Sequence, residues 1–195
     1  MSATNQETVR SYLGDLISVV DHVSQAVGKH ASDDDLKRIA AAPGVISNCH
    51  AVLVRQHEEL QARLTAIGGA TGGGVLKDML TTATGALAGL YGKMRGETAS
   101  RMIRDDYTAV SFRTACTTML HTTALAVNDN ATAELALRHI GQYQRVVMEL
   151  SDLLPEAVMA DLVLDKVTVV HPNAAELATK QIDELWQRNS QPSGV

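Results

Sequence analysis

Between Tyr107 and Val127 the chain reads YTAVSFRTACTTMLHTTALAV, a stretch in which Arg113 alone carries a formal charge at neutral pH. A surface helix shows one apolar stripe and one charged face. A segment that is small or apolar all round therefore predicts a helix enclosed by other helices. Its Ala, Ser and Thr residues let neighbours approach closely, and its hydroxyls can bond back to helix carbonyls instead of water. The expectation is the central helix of a bundle. This fixes architecture more than activity, since no motif in the chain specifies a reaction.

Composition points the same way. Aromatic residues make up 3% of the chain and hydrophobic residues 45%, so the core has to be built from Ala, Val, Leu, Ile and Met. Such interiors suit closely packed helices better than sheets, which favour β-branched and aromatic residues. The fold class expected is all-α, in a single domain over residues 1–189 with a disordered tail at 190–195. A net charge of −5 and scattered basic residues argue against a nucleic-acid partner, because phosphate recognition needs clustered Lys and Arg. Cys49 and Cys116 lack CxxC spacing and read as small buried thiols. The opening MSATNQETVRSY has no charged-then-apolar signal pattern, and no apolar run is long enough to span a membrane, so a cytoplasmic location is expected.

Along the chain, Val9, Leu13, Leu16, Val20, Val23 and Val27 mark one face of a helix capped by Thr4 or Asn5 and ended by Gly28. Ser32 is the expected cap of a short helix reaching Ala41. A long helix from near Pro43 to Ile67 carries a ridge of Ile46, Leu53, Leu60, Leu64 and Ile67, with His50 and His57 set into it. The glycine-rich run 68–74 is a turn, and 75–93 an amphipathic helix in which Gly85 and Gly89 leave a strip for close approach. Asn128 to Asn130 stops the central helix. A helix over 131–154 with Leu135, His139, Tyr143, Val146, Leu150 and Leu153 on its inner face is expected to end at Pro155. A short helix, an extended piece at 167–170 and a last amphipathic helix capped by Asn173 complete the reading.

A helical bundle hosts chemistry by aiming side chains inward from facing helices. A di-iron site needs Glu-x-x-His pairs, and no Asp or Glu stands three residues before His22, His50, His57, His121 or His139. The candidate metal ligands are therefore His50, His57, His121 and His139, which would favour Zn or Fe over Ca or Mg if their helices were mutual neighbours. The alternative is that each histidine bonds a carbonyl, hydroxyl or water in the core. Arg113 needs a carboxylate partner if buried, for which Asp106 and Glu149 are the candidates. Met79, Met102, Met119, Met148 and Met159 are expected to fill core gaps.

The long helix with HAVLVRQHEELQARLTAIGG, a Gly-rich loop, and then RDDYTAVSFRTACTTMLHTTALAVNDNATAELA resembles the ferritin-like superfamily in helix order and length over residues 7–154. In particular it is similar to bacterial stress-associated proteins of the YciE/YciF type. The resemblance implies an up-and-down four-helix bundle with additional short and C-terminal helices, commonly dimeric, often with a di-metal centre midway along the bundle. Its metal-bearing positions leave Asp21 on the first helix and His57 and Glu58 on the second as possible ligands, and fall near Arg113 and near Gln142 with Tyr143 on the third and fourth, which do not supply the usual carboxylates. The expectation is a ferritin-like protein acting in binding or assembly, with no cofactor and as a homodimer. The competing readings are a histidine-based metal protein and a binder of a small apolar ligand beside the glycine-rich helix.

Overall fold

The computed structural model describes residues 2–69 and 98–190, so the expected helix at 75–93, its glycine strip and Met79 lie outside the described residues, as does most of the tail. Helix α1 spans Ala3–His30, α2 Ala42–Ala66, α3 Ala99–Ala126, α4 Asn130–Leu164 and α5 Ala174–Ser190, with one 3-10 turn at Leu36–Arg38 and no strand among the described residues. The apolar faces expected of α1, α2 and α4 are buried as read: Val9, Leu13, Val20, Ile46, Leu53, Leu60, Tyr143 and Leu150 are all at 0% exposure.

Four helices form the core. α1 packs on α2 and α3, and α4 packs on α3 and α2. Their directions follow from which residues meet. The Arg10 guanidinium reaches the Ile67 carbonyl at one end of the α1–α2 pair, while Gly28 lies against His50 at the other. Gln56 meets Gln142 and Arg63 meets Asp129 across α2 and α4. His121 reaches the carbonyl of Ala133, and Ala99 meets Asp161, across α3 and α4. Each neighbouring pair is therefore antiparallel, and α2 and α3 run the same way on opposite corners.

Local expectations failed in instructive places. Ser2, not Thr4 or Asn5, caps α1 by accepting from the Asn5 amide. The helix runs through Gly28 to His30 because the glycine serves a close approach: a Cβ there would stand 2.9 Å from the His50 ring. The short helix expected after Ser32 is only the 3-10 turn, since Asp33 turns its side chain to the Asp35 amide and competes with helix formation.

Pro155 sits inside α4 without ending it. A mid-helix proline costs roughly 3 kcal/mol, but Leu150, Leu153 and Ala157 on either side of it are all buried on one face. Continuing the helix past the proline also brings Asp161 to the start of α3.

The largest correction concerns α3. It is not enclosed: Ala115, Thr118, Met119, Thr122, Leu125 and Ala126 are exposed, while Ala109, Val110, Arg113, Thr117, Leu120 and Ala124 are buried. The exposed side can dispense with charge because its hydroxyls are satisfied by the helix itself. Thr114, Thr118 and Thr122 each donate to the carbonyl four residues earlier, at 2.9 to 3.0 Å. Met119 and Met148 likewise lie on the surface rather than filling the core.

Asp161 caps α3 from another helix, its two oxygens accepting from the Ala99 and Ser100 amides at 3.1 Å each. Burial acts to raise its pKa, but these bonds and those with the Ser100 and Thr98 side chains outweigh it and hold the carboxyl below its usual range. The folded-state value is depressed, so the contribution is present above the unfolded carboxylate value and fades as pH falls through the folded one. Asp161→Ala is expected to cost about 1 kcal/mol at neutral pH, as loss of a helix cap does, and less below pH 4, measured by urea unfolding at both conditions.

Candidate functional site

The apolar core is not continuous. One cluster gathers Val23, Val27, Ile46, Leu53, Ile103, Val110, Val146 and Leu150, and a second gathers Val9, Leu13, Leu60, Leu64, Leu120 and Leu135. Between Leu53 and Leu60 on α2 stands Gln56; between Val110 and Leu120 on α3 stand Arg113 and Thr117; between Ala136 and Tyr143 on α4 stands His139. All four are at 0% exposure. Three helices thus contribute a buried polar layer midway along the bundle.

Arg113 dominates this layer. Its Nε, Nη1 and Nη2 have no hydrogen-bond partner among the described residues. The guanidinium lies over the Tyr143 ring, 5.0 Å from its centroid, a cation–π contact that covers one face and leaves the edge donors unengaged. Burial pushes the Arg113 pKa down, with the nearby Tyr143 hydroxyl opposing it, but a guanidinium stays charged at any ordinary pH. Burial likewise pushes Tyr143 up to about 12 and raises the Cys49 thiol, so both remain neutral. The Tyr143 hydroxyl is buried close enough to the guanidinium to help hold its charge, but not in good hydrogen-bond geometry with it or with any other group.

The neighbours are polarised outward. Gln56 donates to the Gln142 side chain at 2.6 Å, which leaves its own carbonyl oxygen without a donor. His139 meets the Glu59 carboxylate through Nε2 at 2.7 Å. The carboxylate accepts, so Nε2 carries the proton and the buried Nδ1 is a bare acceptor without a partner. Thr117 is spent on the Arg113 carbonyl at 2.8 Å.

The two carboxylates expected to pair with Arg113 do not hydrogen-bond it. Asp106 accepts from His30 at 2.9 Å and Glu149 from Asn48 at 3.2 Å. Asp106 stands two turns away, roughly 10 Å along the axis at 1.5 Å per residue, and opposite the end of α1 instead.

The four candidate histidines are engaged separately. His50 packs against Gly28, His57 meets Gln61 on its own helix at 3.2 Å, His121 bonds the Ala133 carbonyl at 2.9 Å and His139 pairs with Glu59. Only His139 belongs to the mid-bundle layer, and no group of three or more His, Cys, Asp or Glu side chains among the described residues is placed to share a metal ion. Gln56, Glu59 and the His30–Asp106 pair escaped sequence reasoning. Gln56 had a signal, a polar residue in register with Leu53 and Leu60; the other two depend on partners 76 and 80 residues away in sequence.

No protein-family model matches the sequence and no curated protein is similar to it. Among solved structures, Dps from Thermosynechococcus elongatus superposes with a TM-score of 0.65 over 77% of this chain and 92% of that one, at 18% identity. The fold is ferritin-like. At that identity the likeness is one of fold and does not bear on the YciE/YciF type.

The di-metal centre that a ferritin-like fold brings to mind does not fit this layer. Of the positions that the resemblance marks, Asp21 is exposed and accepts from Gln25, and Glu58 is exposed. Arg113 is a fixed cation at the centre, and Gln142 and Tyr143 are neutral. A hard dication needs clustered carboxylates, and this layer is rich in donors instead.

His139 gives the layer a pH signature. Burial lowers its pKa from the ordinary 6.5, with Arg113 and Arg138 adding to that and Glu59 opposing it. The unfolded chain then takes up this proton first, so stability falls as pH drops below about 6.5, by up to about 1.4 kcal/mol per pH unit. His139→Gln is expected to flatten the decline between pH 7 and pH 5 relative to the parent chain in urea unfolding series.

Proposed function

We propose that this chain is a ferritin-like bundle that works by binding and self-assembly, without a di-iron oxidation centre. The observation that carries the reading is Arg113, a fully buried permanent cation at the level where facing helices would otherwise present metal ligands. At an effective dielectric of about 20, two like charges 4 Å apart repel by about 4 kcal/mol. A metal pair at that level would face this repulsion with no cluster of carboxylates to offset it.

Self-assembly is supported by the outer side of α3. Thr118, Met119, Thr122 and Leu125 form an exposed strip with no charge, Met119 at 54% and Leu125 at 52% exposure. An uncharged helix face of this kind suits a second copy of the chain in an antiparallel, two-fold arrangement, where each strip covers the other. A homodimer is the assembly proposed, in keeping with the ferritin-like resemblance and with the stress-associated role it implies.

Two measurements test the reading. Protein prepared without a histidine tag and exposed to Fe(II) or Zn(II) is expected to retain substoichiometric metal by elemental analysis. Stoichiometric metal, lost on combining His57→Ala with His139→Ala, would replace this proposal with a histidine-based metal protein. Light scattering is expected to give twice the 20.8 kDa chain mass, and Met119→Glu to return the monomer while leaving the helical circular dichroism unchanged. A parent chain that is monomeric at high micromolar concentration would remove the assembly half of the reading.

A further inference from the structure

We infer that the mid-bundle layer binds a small monovalent anion, of the halide or nitrate class, on the edge of the Arg113 guanidinium. The inference rests on the reading of this layer as cation-centred and names the ligand that such a layer would take.

A buried charge without a counter-ion bonded to it is among the most costly features a core can contain. The Tyr143 face repays part of this and leaves the N–H groups in the guanidinium plane outside hydrogen-bond geometry. Those donors are the residual demand of the layer. The Tyr143 hydroxyl adds one more donor without an acceptor. Against them stand the Gln56 carbonyl oxygen and His139 Nδ1 as buried acceptors without donors. Gln56 and Gln142 bond to each other through their amides, so reversing both keeps that bond and turns the Gln56 NH2 inward as a further donor. The donors therefore outnumber the acceptors, and the excess carries a full positive charge.

Water satisfies hydrogen bonds but does not cancel that charge; an anion does both. The size of the ligand follows from enclosure. Gln56, Arg113, Thr117, His139 and Tyr143 are all at 0% exposure, so a ligand held among them can be a few atoms at most. Multiply charged oxyanions are excluded on charge, because a single guanidinium would leave the remainder unpaired in a low-dielectric core.

Entry does not require a permanent channel. Glu59, with its side chain at 34% exposure, covers His139 from the solvent side, and a rotation of that pair opens a path from the surface to the layer.

The test uses bromide as the probe. Crystals of the full chain grown in sodium bromide should show an anomalous peak within hydrogen-bonding distance of the Arg113 nitrogens. In solution, replacing gluconate by bromide at constant ionic strength should raise the thermal midpoint saturably. The rise should vanish in Arg113→Met and be half-saturated at about tenfold higher bromide in Tyr143→Phe, the effect of losing one hydrogen bond to a charged group. Should Arg113→Met not fold, the crystallographic peak and the Tyr143→Phe titration decide the matter. Water density alone beside the guanidinium, with a midpoint indifferent to bromide, overturns the inference and leaves the ferritin-like, metal-free reading standing. Bound iron or zinc at this layer would overturn both.

Discussion

A charged guanidinium shut inside an aliphatic bundle is the constraint around which this molecule is arranged. Arg113 divides the core into two apolar clusters, and what surrounds it is chosen for neutrality and hydrogen bonding rather than for packing alone. Tyr143 offers its ring face, Gln56 and Gln142 tie α2 to α4 beside it, and His139 is kept neutral by burial while Glu59 holds it from outside. A purely aliphatic layer at this level would be simpler to pack and no less stable. A polar layer does fix the register of the three helices that contribute to it, because sliding any one of them by a turn would bury the guanidinium against a methyl surface.

The ends of the bundle are fastened by a different set of contacts, and these set which helices are neighbours. Arg10 reaches the Ile67 carbonyl just past the end of α2, and Arg63 pairs with Asp129 at 2.5 Å and with Thr132 at 2.7 Å at the turn between α3 and α4. At the opposite end His30 and Asp106 join α1 to α3, and Asp161 caps α3 from α4. Most of these groups close an otherwise open helix terminus, so the polar contacts at the ends and the polar layer at the middle do complementary work. The ends choose the neighbours, and the middle chooses the level.

The ferritin-like likeness is one of helix arrangement at 18% identity, and it carries the fold and no further. A bundle whose interior can be lined from four directions is a general platform: clustered carboxylates make it a metal site, and a central cation makes it the reverse. The residues at the middle of this chain put a buried cation there. Surface character follows suit, since the outward side of the C-terminal half of α3 is uncharged where a monomeric bundle would normally expose Lys and Glu.

The sequence by itself determined the helices and the inward faces of α1, α2 and α4, because the spacing of Val, Leu and Ile reports angular position around a helix directly. It also marked Arg113 as a charge needing explanation. Only the tertiary structure decided the rest. Sequence periodicity places a residue around its own axis but says nothing of which residue on another helix stands at the same height. His50, His57, His121 and His139 therefore read as a possible cluster and turn out to be engaged one by one, and Asp106 pairs with His30 rather than with Arg113. Two misreadings had the opposite origin, a local signal overruled by packing. Pro155 was carried through α4 by the buried residues on both sides of it, and the C-terminal half of α3, uncharged apart from Arg113, exposed one side because threonine hydroxyls can satisfy themselves on their own helix.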